Sequence, residues 1–308
     1  MTNRAERKRC RLGLGTTVAV VLAPSMAGAV EWTWSDIDAG LASSFDLPFS
    51  REKRTPLEGL TLGTGVTVPM TRSEQSGPTG SGQQGAHVTG SPTVDALIRY
   101  EPLPGWFAMT DFHRYVQGSR QAPWNPDFDY GFGFDNGAPF SLHLTYFNYA
   151  SNRLDPSAEK GENVTRFNQG TWSAGWRFPV PEALATPMLL DPDLAIDCTV
   201  DVNVSPRFYD QASAANRSWK QSLSLGCHYP VVAGIYVEWK AFAYPQHRDQ
   251  QPWDPDFTYA VGWSWGYPGT FSLRYGNYSG NRWPGRDAGP AQGRFVDGAI
   301  TASWSQAW

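Results

Sequence analysis

The chain has 308 residues, of which 41% are hydrophobic, 14% aromatic and only 18% charged, and its net charge is −4. A nucleic-acid partner requires a basic surface, so this acidic balance excludes nucleic-acid binding as a leading function. Low charge combined with many aromatic residues is typical of an all-β chain.

The first residues carry the features of a secretory signal peptide. Five basic residues between positions 4 and 11 precede an apolar run at 12–22, and Ala27-Gly28-Ala29 follows as a small-residue cleavage site. A membrane-anchoring helix is the alternative, but Pro24 ends the run short of the roughly 20 residues that a spanning helix needs. Cleavage after Ala29 predicts a signal peptide at 1–29 and leaves 20 basic and 28 acidic residues, a net charge of −8.

Residues 30–59 precede the first predicted strand. They include Trp32, Trp34 and the short apolar pattern Ile37, Leu41 and Phe45. We expect either an N-terminal periplasmic arm or a short helix that reaches into the barrel.

An internal duplication organises the remaining chain. The sequence PWNPDF at 123–128 returns as PWDPDF at 252–257, and NYASNR at 148–153 returns as NYSGNR at 277–282, both with a shift of 129 positions. Two long units suit a duplicated β-meander that closes on itself rather than a solenoid. We therefore predict two repeats, at 60–179 and 180–308.

Alternation of apolar and polar residues predicts six strands in each repeat. The predicted strands are 60–68, 94–100, 106–115, 129–134, 140–149 and 165–178, followed by 194–204, 222–229, 235–244, 258–265, 270–278 and 294–308. The linkers after odd-numbered strands are long, for example 205–217, and those after even-numbered strands are short, except the inter-repeat connector at 180–193. This pattern predicts an antiparallel transmembrane β-barrel of about 12 strands.

The polarity of the strands alone leaves a water-soluble β-sandwich open, because an apolar face could also form a buried core. The end of the chain favours a barrel. Its final amphipathic strand ends on Trp308 and resembles the C-terminal signature of bacterial outer-membrane barrel proteins, although Trp replaces the more usual Phe. The resemblance implies location in the outer membrane of a Gram-negative bacterium, with the lipid bilayer as a partner.

Counting strands puts both copies of the repeated motifs on the extracellular side. The candidate ligand-binding residues at this mouth are Trp124, Asp127, Arg153, Trp253, Asp256 and Arg282. Flat Trp rings could stack on sugars while the charged groups orient the ligand. The structural interpretation is favoured, since Pro-rich turns, interfacial Trp and Asp–Arg pairs that pin adjacent loops need no ligand.

The polar strand faces predict the lumen. Its ionisable candidates are Asp95, Arg99, Asp111, His113, Asp129, His143, Arg177, Asp197, Asp201, Glu238, Lys240, Arg274 and Asp297. Seven are acidic and four are firmly basic, which argues against strong anion selectivity and allows neutral or weakly cationic solutes. A lumen plugged by ion pairs fits equally well.

The histidines show no metal-ligand spacing, so we predict no metal and no cofactor. Cys198 and Cys227 fall on the same apolar face of neighbouring strands. A disulfide and two lipid-facing free thiols both remain open.

One segment raises the possibility of an enzyme. Ser151-Asn152-Arg153 resembles the Ser-Asn-Gly-Arg segment of outer-membrane phospholipase A, a twelve-stranded barrel in which a His just before the Ser acts as base. Here residues 148–150 are Asn-Tyr-Ala, the nearest histidine is His143, and the second copy has no His nearby. Acyl transfer needs a base within hydrogen-bond reach, so we expect no enzyme activity.

The sequence thus predicts a narrow channel, or a surface-binding barrel, for small polar solutes that include carbohydrates. The alternative is a non-conducting partner barrel in cell-envelope or exopolysaccharide assembly. A lipid-modifying enzyme is the third hypothesis.

Overall fold

The computed structural model describes residues 33–44, 57–70, 91–118, 121, 125–149, 152–154, 166–191, 194–210, 212–232, 234–266, 270–278, 280–286 and 294–308. The predicted signal peptide and Trp124 lie outside these residues. Twelve antiparallel strands form a closed barrel in which each strand pairs with its neighbours in sequence and β1 pairs with β12. The all-β, twelve-stranded barrel fold is confirmed.

The strands are β1 Leu60–Pro69, β2 Thr93–Leu103, β3 Trp106–Tyr115, β4 Phe128–Phe134, β5 Leu142–Asn148, β6 Thr171–Pro179, β7 Asp197–Asp210, β8 Ala215–Val232, β9 Ile235–Ala243, β10 Phe257–Gly266, β11 Thr270–Asn277 and β12 Ala299–Ala307. The described part of the chain has two α-helices, α1 Trp34–Ser43 and α2 Glu182–Ala185. Among the described residues, no helix is both long and apolar enough to cross a membrane.

The last strand of each repeat begins later than predicted. Single 3-10 turns, Phe167–Gln169 and Phe295–Asp297, precede β6 and β12. The Tyr146 hydroxyl donates a hydrogen bond to the Phe167 carbonyl over 2.6 Å, and Tyr275 bonds Phe295 over the same distance. These tyrosines hold both turns against the barrel wall.

Each tyrosine ring lies over a glycine, Gly170 in the first repeat and Gly298 in the second. A Cβ atom built on either glycine would lie within 2.6 Å of the ring. Glycine is therefore required where each 3-10 turn gives way to the strand.

The prediction of a long loop at 205–217 is wrong, because strands occupy most of this range. β7 and β8 extend beyond the rest of the barrel as a hairpin, with Arg207 opposite Ser218 and Asp210 opposite Ala215. The turn is tight because the Asp210 carboxylate accepts hydrogen bonds from the Ser213 hydroxyl at 2.7 Å and the Ala212 backbone at 3.2 Å.

The outward face of the barrel is apolar and exposed. Along β10, Tyr259, Val261, Trp263 and Trp265 point outward, and Val261 is 46% exposed. The alternate residue Ala260 faces inward and is buried. Leu273 on β11 and Ile300 on β12 continue the exposed apolar surface. This polarity is the reverse of that of a water-soluble barrel with an apolar interior.

Outward-facing aromatic side chains lie near both ends of the strands. The loop-side belt, near the long loops, contains Phe112, Phe128, Tyr130, Trp172, Tyr259 and Tyr275. The turn-side belt, near the short turns, contains Trp106, Phe134, Trp176, Trp263, Phe271 and Trp304. Aliphatic residues such as Val261 lie between the two belts.

Helix α1 packs on the β4–β5 turn, at the turn-side end. Gly40 sits so close to this turn that a Cβ would lie 2.5 Å from both the Phe140 Cβ and the Pro139 carbonyl oxygen. The Asn136 amide donates to the Ser43 carbonyl over 3.2 Å, and the Leu142 backbone donates to the Ser44 hydroxyl over 2.7 Å. The described part of the N-terminal arm is therefore a docked helix.

The inter-repeat connector covers part of the outer surface. Ala185 of α2 and Ile196 pack with Cys198, which is only 4% exposed. Cys198 and Cys227 are direct cross-strand partners with Cα atoms 4.1 Å apart, and a disulfide joins them. Of the two states that the sequence left open, the structure has the disulfide.

Candidate functional site

At the loop-side mouth, Asp127 ties two loops together. Its carboxylate accepts hydrogen bonds from Gln121 Nε2 at 2.8 Å, Arg153 Nη1 at 3.2 Å and the Leu154 backbone at 3.1 Å. The Asp127 backbone donates to the Asn152 carbonyl over 2.7 Å. We call Gln121, Asp127, Asn152 and Arg153 the first clasp. It joins the β3–β4 loop to the β5–β6 loop.

The second clasp, Gln250, Asp256, Asn281 and Arg282, lies 129 positions later. The Asp256 carboxylate accepts from Gln250 Nε2 at 2.8 Å and from the Trp283 backbone at 3.0 Å, and its backbone donates to the Asn281 carbonyl over 2.7 Å. The ion-pair partner differs between the clasps. Arg286 Nη1 lies 2.7 Å from Asp256 Oδ1, and Arg282 Nη1 lies 3.8 Å from the same atom.

Arg282 mainly caps backbone carbonyls of the β9–β10 loop. Its guanidinium donates to the carbonyls of Gln251 at 3.1 Å and Pro252 at 3.2 Å, and also to the carbonyl of Asp254. The hydrogen bonds from Arg282 therefore stabilise the conformation of this loop, whereas Arg286 forms the shorter ion pair with Asp256.

The predicted mouth residues are thus largely used within the loops. Asp256, Asn152 and Asn281 are almost completely buried, and Trp253 is half-buried. Burial alone would raise the pKa of Asp127, but hydrogen bonds from Gln121, the Leu154 backbone and Arg153 hold that pKa below its ordinary value. This arrangement fits the structural interpretation of the motifs. The two glutamines were missed, although Gln121 and Gln250 recur at the same shift of 129 positions.

The extended β7–β8 hairpin contacts the β9–β10 loop, which carries Gln250 and Asp256 of the second clasp. Arg217 Nη1 lies 3.5 Å from Asp210 and 3.3 Å from Asp249, and Lys220 Nζ lies 2.9 Å from Asp254. The Lys220 ammonium also lies 5.6 Å from the centre of the Phe208 ring. These contacts join the β7–β8 hairpin to the β9–β10 loop at the loop-side mouth.

A first lumen network lies on the inner faces of β2, β3 and β4. His113 Nδ1 is 2.8 Å from Asp95 Oδ1, and His113 Nε2 is 3.1 Å from Asp129 Oδ2. Asp111, also on the inner face of β3, is 3% exposed. Three carboxylates thus surround one imidazole.

A second lumen network centres on Asp201 of β7. Its carboxylate lies 2.8 Å from His143 Nε2 and 2.8 Å from Lys240 Nζ, and it accepts from the Ser224 hydroxyl at 3.1 Å. Here a buried anion has a cation and further hydrogen-bond donors, as a buried charge requires.

A third network joins β8, β9 and β11. Arg274 forms an ion pair with Glu238, and His228 Nδ1 lies 3.5 Å from the same carboxylate. Asp197 begins β7 on the inner face, in register with His228. Asp297, by contrast, does not line the lumen. It lies in the 3-10 turn before β12 and pairs with Arg294 at 3.1 Å, because the strand starts after it.

The lumen side chains lie along the wall. The networks above join strands that are adjacent or separated by a single strand. The Phe147 ring lies over Gly131 and the Tyr236 ring lies over Gly262, each on a neighbouring strand. The Arg99 guanidinium stacks 4.0 Å from the centre of the Phe107 ring. Among the described residues, the inner face of the barrel therefore carries both aromatic rings and networks of charged groups.

His143, the only base that the sequence offered near Ser151, faces the lumen. Its Nε2 is engaged by Asp201, and Ser151 lies outside the described residues.

Comparison with models of known protein families finds no match for this chain, and no curated protein sequence matches it either. Its function is therefore inferred from the barrel and from the side chains that line it.

Proposed function

We propose that the protein is an outer-membrane β-barrel that forms a narrow channel for small polar solutes. The observation that carries this proposal is the polarity of the wall. The outside is apolar and exposed, and the inside carries three networks of charged groups beside a small apolar cluster of Leu97, Phe107 and Met109. A closed barrel satisfies all strand backbone groups without an edge, which is what lipid demands of a spanning structure.

The height of the outward-facing aromatic zone supports a membrane setting. On β10 this zone runs from Phe257, next to the loop-side belt residue Tyr259, to Trp265, next to the turn-side belt residue Trp263. These eight residue steps at about 3.3 Å give about 26 Å along the strand, and a tilt of about 40° leaves about 20 Å along the axis. That height is close to the apolar band of roughly 25 Å found on outer-membrane barrels. The belts then correspond to the two aromatic girdles at the membrane surfaces.

The lumen chemistry favours small neutral or weakly cationic solutes. Lys240 and Arg274 are neutralised by Asp201 and Glu238, so neither presents a free positive charge to a passing anion. Hydroxyls of Ser224, Ser272 and Ser303 also line the wall. Saccharides, which hydrogen-bond to such groups without needing charge, are a suitable solute class.

The proposed location is the outer membrane. A signal peptide, as predicted from the sequence, would direct the chain across the inner membrane, and the resemblance of the final amphipathic strand to those of outer-membrane barrels supports insertion into the outer membrane. The clasps and the β7–β8 hairpin would then face the outside of the cell, and α1 would face the periplasm.

Conductance across a planar lipid bilayer tests the proposal. We expect stepwise current increases when the folded barrel is added, with a small reversal potential of the sign that weak cation selectivity gives in a potassium chloride gradient, because the carboxylates around His113 outnumber the basic groups there. The boiled protein is the control and should give no steps.

A folded barrel that passes no current would instead support a non-conducting partner in cell-envelope or exopolysaccharide assembly. Lipid hydrolysis lost on Ser151→Ala or His143→Gln would support the enzyme hypothesis.

A further inference from the structure

We infer that Asp111, His113 and Asp129 bind a divalent transition-metal ion inside the barrel, with Asp95 orienting the histidine. The inference goes beyond the proposed channel, which could conduct without such a site. It also revises the expectation from sequence that the protein has no metal site.

The ligand set comes from two neighbouring strands. Asp111 and His113 are alternate residues of β3 and share its inner face, and Asp129 of β4 is the cross-strand partner of Asp111. One potential ligand atom from each of the three lies within 4.8 Å of the others. An imidazole nitrogen with two carboxylates suits ions such as Zn²⁺, whereas Ca²⁺ and Mg²⁺ prefer oxygen ligands alone.

The histidine is already held as a metal ligand would be. Its Nδ1 lies 2.8 Å from Asp95 Oδ1, and Asp95 also accepts a hydrogen bond from the Thr67 hydroxyl over 3.0 Å. Metal-binding histidines commonly donate their second ring N–H to a carboxylate in this way. With Nδ1–H donated to Asp95, His113 Nε2 is directed towards Asp129, 3.1 Å away, and can serve as the ligand atom.

Asp111 supplies independent evidence that a cation belongs there. The residue is 97% buried, and its Oδ1 atom has no hydrogen-bond partner among the described residues. Burying an unpaired carboxylate is costly. A metal ion between Asp111, Asp129 and His113 would satisfy this oxygen and neutralise the local excess of negative charge.

In the second repeat, a lysine occupies the position that is equivalent to Asp111. The positions 129 residues after Asp111, His113 and Asp129 hold Lys240, Phe242 and Thr258. Lys240 forms an ion pair with Asp201 at 2.8 Å. The wall of the second repeat is thus neutralised by a lysine, while the first repeat has a carboxylate at the same place.

Zn²⁺ binding to the folded full-length barrel, stripped with a chelator, tests the inference. Calorimetry and metal analysis should give one tightly bound Zn²⁺ per chain and much weaker Ca²⁺ binding. Asp111→Asn and His113→Gln should each lower Zn²⁺ affinity at least about tenfold, and Asp95→Asn should lower it about 10- to 100-fold as the loss of an orienting partner. Asp297→Asn, which removes a carboxylate outside the lumen, should leave the affinity unchanged.

Each variant is first checked for the wild-type shift in gel mobility on heating, and His113→Gln decides the matter if Asp111→Asn does not fold. Three results would overturn the inference. They are an absence of Zn²⁺ binding, equal Zn²⁺ binding by the wild type and the folded lumen variants, and Ca²⁺ binding as tight as Zn²⁺ binding. Because no current is measured, failure here would leave the proposed channel untouched.

Discussion

Val261→Arg should prevent stable insertion of the barrel into lipid, whereas Ser264→Arg in the same strand should be tolerated. Val261 points outward between Tyr259 of the loop-side belt and Trp263 of the turn-side belt, and is 46% exposed. If this surface meets hydrocarbon, an Arg at mid-depth costs about 2 to 4 kcal/mol. Ser264 faces the lumen side of the same strand, where an Arg is kept out of the hydrocarbon.

The free energy of unfolding from lipid vesicles, measured by denaturant titration, separates these variants. Equal stability of Val261→Arg and wild-type protein would contradict a lipid-facing outer surface. An equal loss in both variants would show only that an arginine is not accommodated in β10.

Asp256→Asn should destabilise the loop-side mouth more than Asp127→Asn does, although the two residues occupy equivalent positions in the second and the first clasp. The Asp256 side chain is fully buried and faces Arg286, while the Asp127 side chain is 24% exposed beside Arg153. Removing a buried anion leaves its donors without a charged acceptor. We expect a loss of about 3 kcal/mol for Asp256→Asn and about 1 kcal/mol for Asp127→Asn.

Denaturant titration together with limited proteolysis of the folded barrel measures this difference. Cleavage should increase in the β9–β10 and β11–β12 loops of Asp256→Asn, and the barrel strands should stay protected. Identical stabilities of the two variants would contradict the argument that burial sets the strength of the clasp.

Most of the barrel could be predicted because strand alternation and turns are local signals. The bounds of β3 agree with the prediction at both ends, and β9, β10 and β11 agree within one residue. The hairpin extension of β7 and β8 could not be predicted, since Pro206 argues against a strand. The strands keep their register here, since Ser205 pairs with Lys220 and Arg207 pairs with Ser218. The opposed residues Pro206 and Trp219 do not pair, and Trp219 has a positive φ of 66°.

The candidate sites were only partly visible in the sequence. The repeated motifs indicate Asp127 and Asp256, but the choice of Arg286 over Arg282 as the main ion-pair partner depends on loop geometry. In the lumen, the Asp111 and His113 spacing places both residues on one strand face. Their relation to Asp129 requires the register between β3 and β4, which alternation within single strands does not provide.

The most direct test of the membrane-barrel account is membrane fractionation of cells that express the full chain, followed by gel electrophoresis in detergent with and without boiling. The account predicts that the protein is found in outer-membrane fractions and migrates faster when it is not boiled, as a closed barrel resists unfolding by detergent. A soluble protein whose mobility does not depend on heating would contradict it.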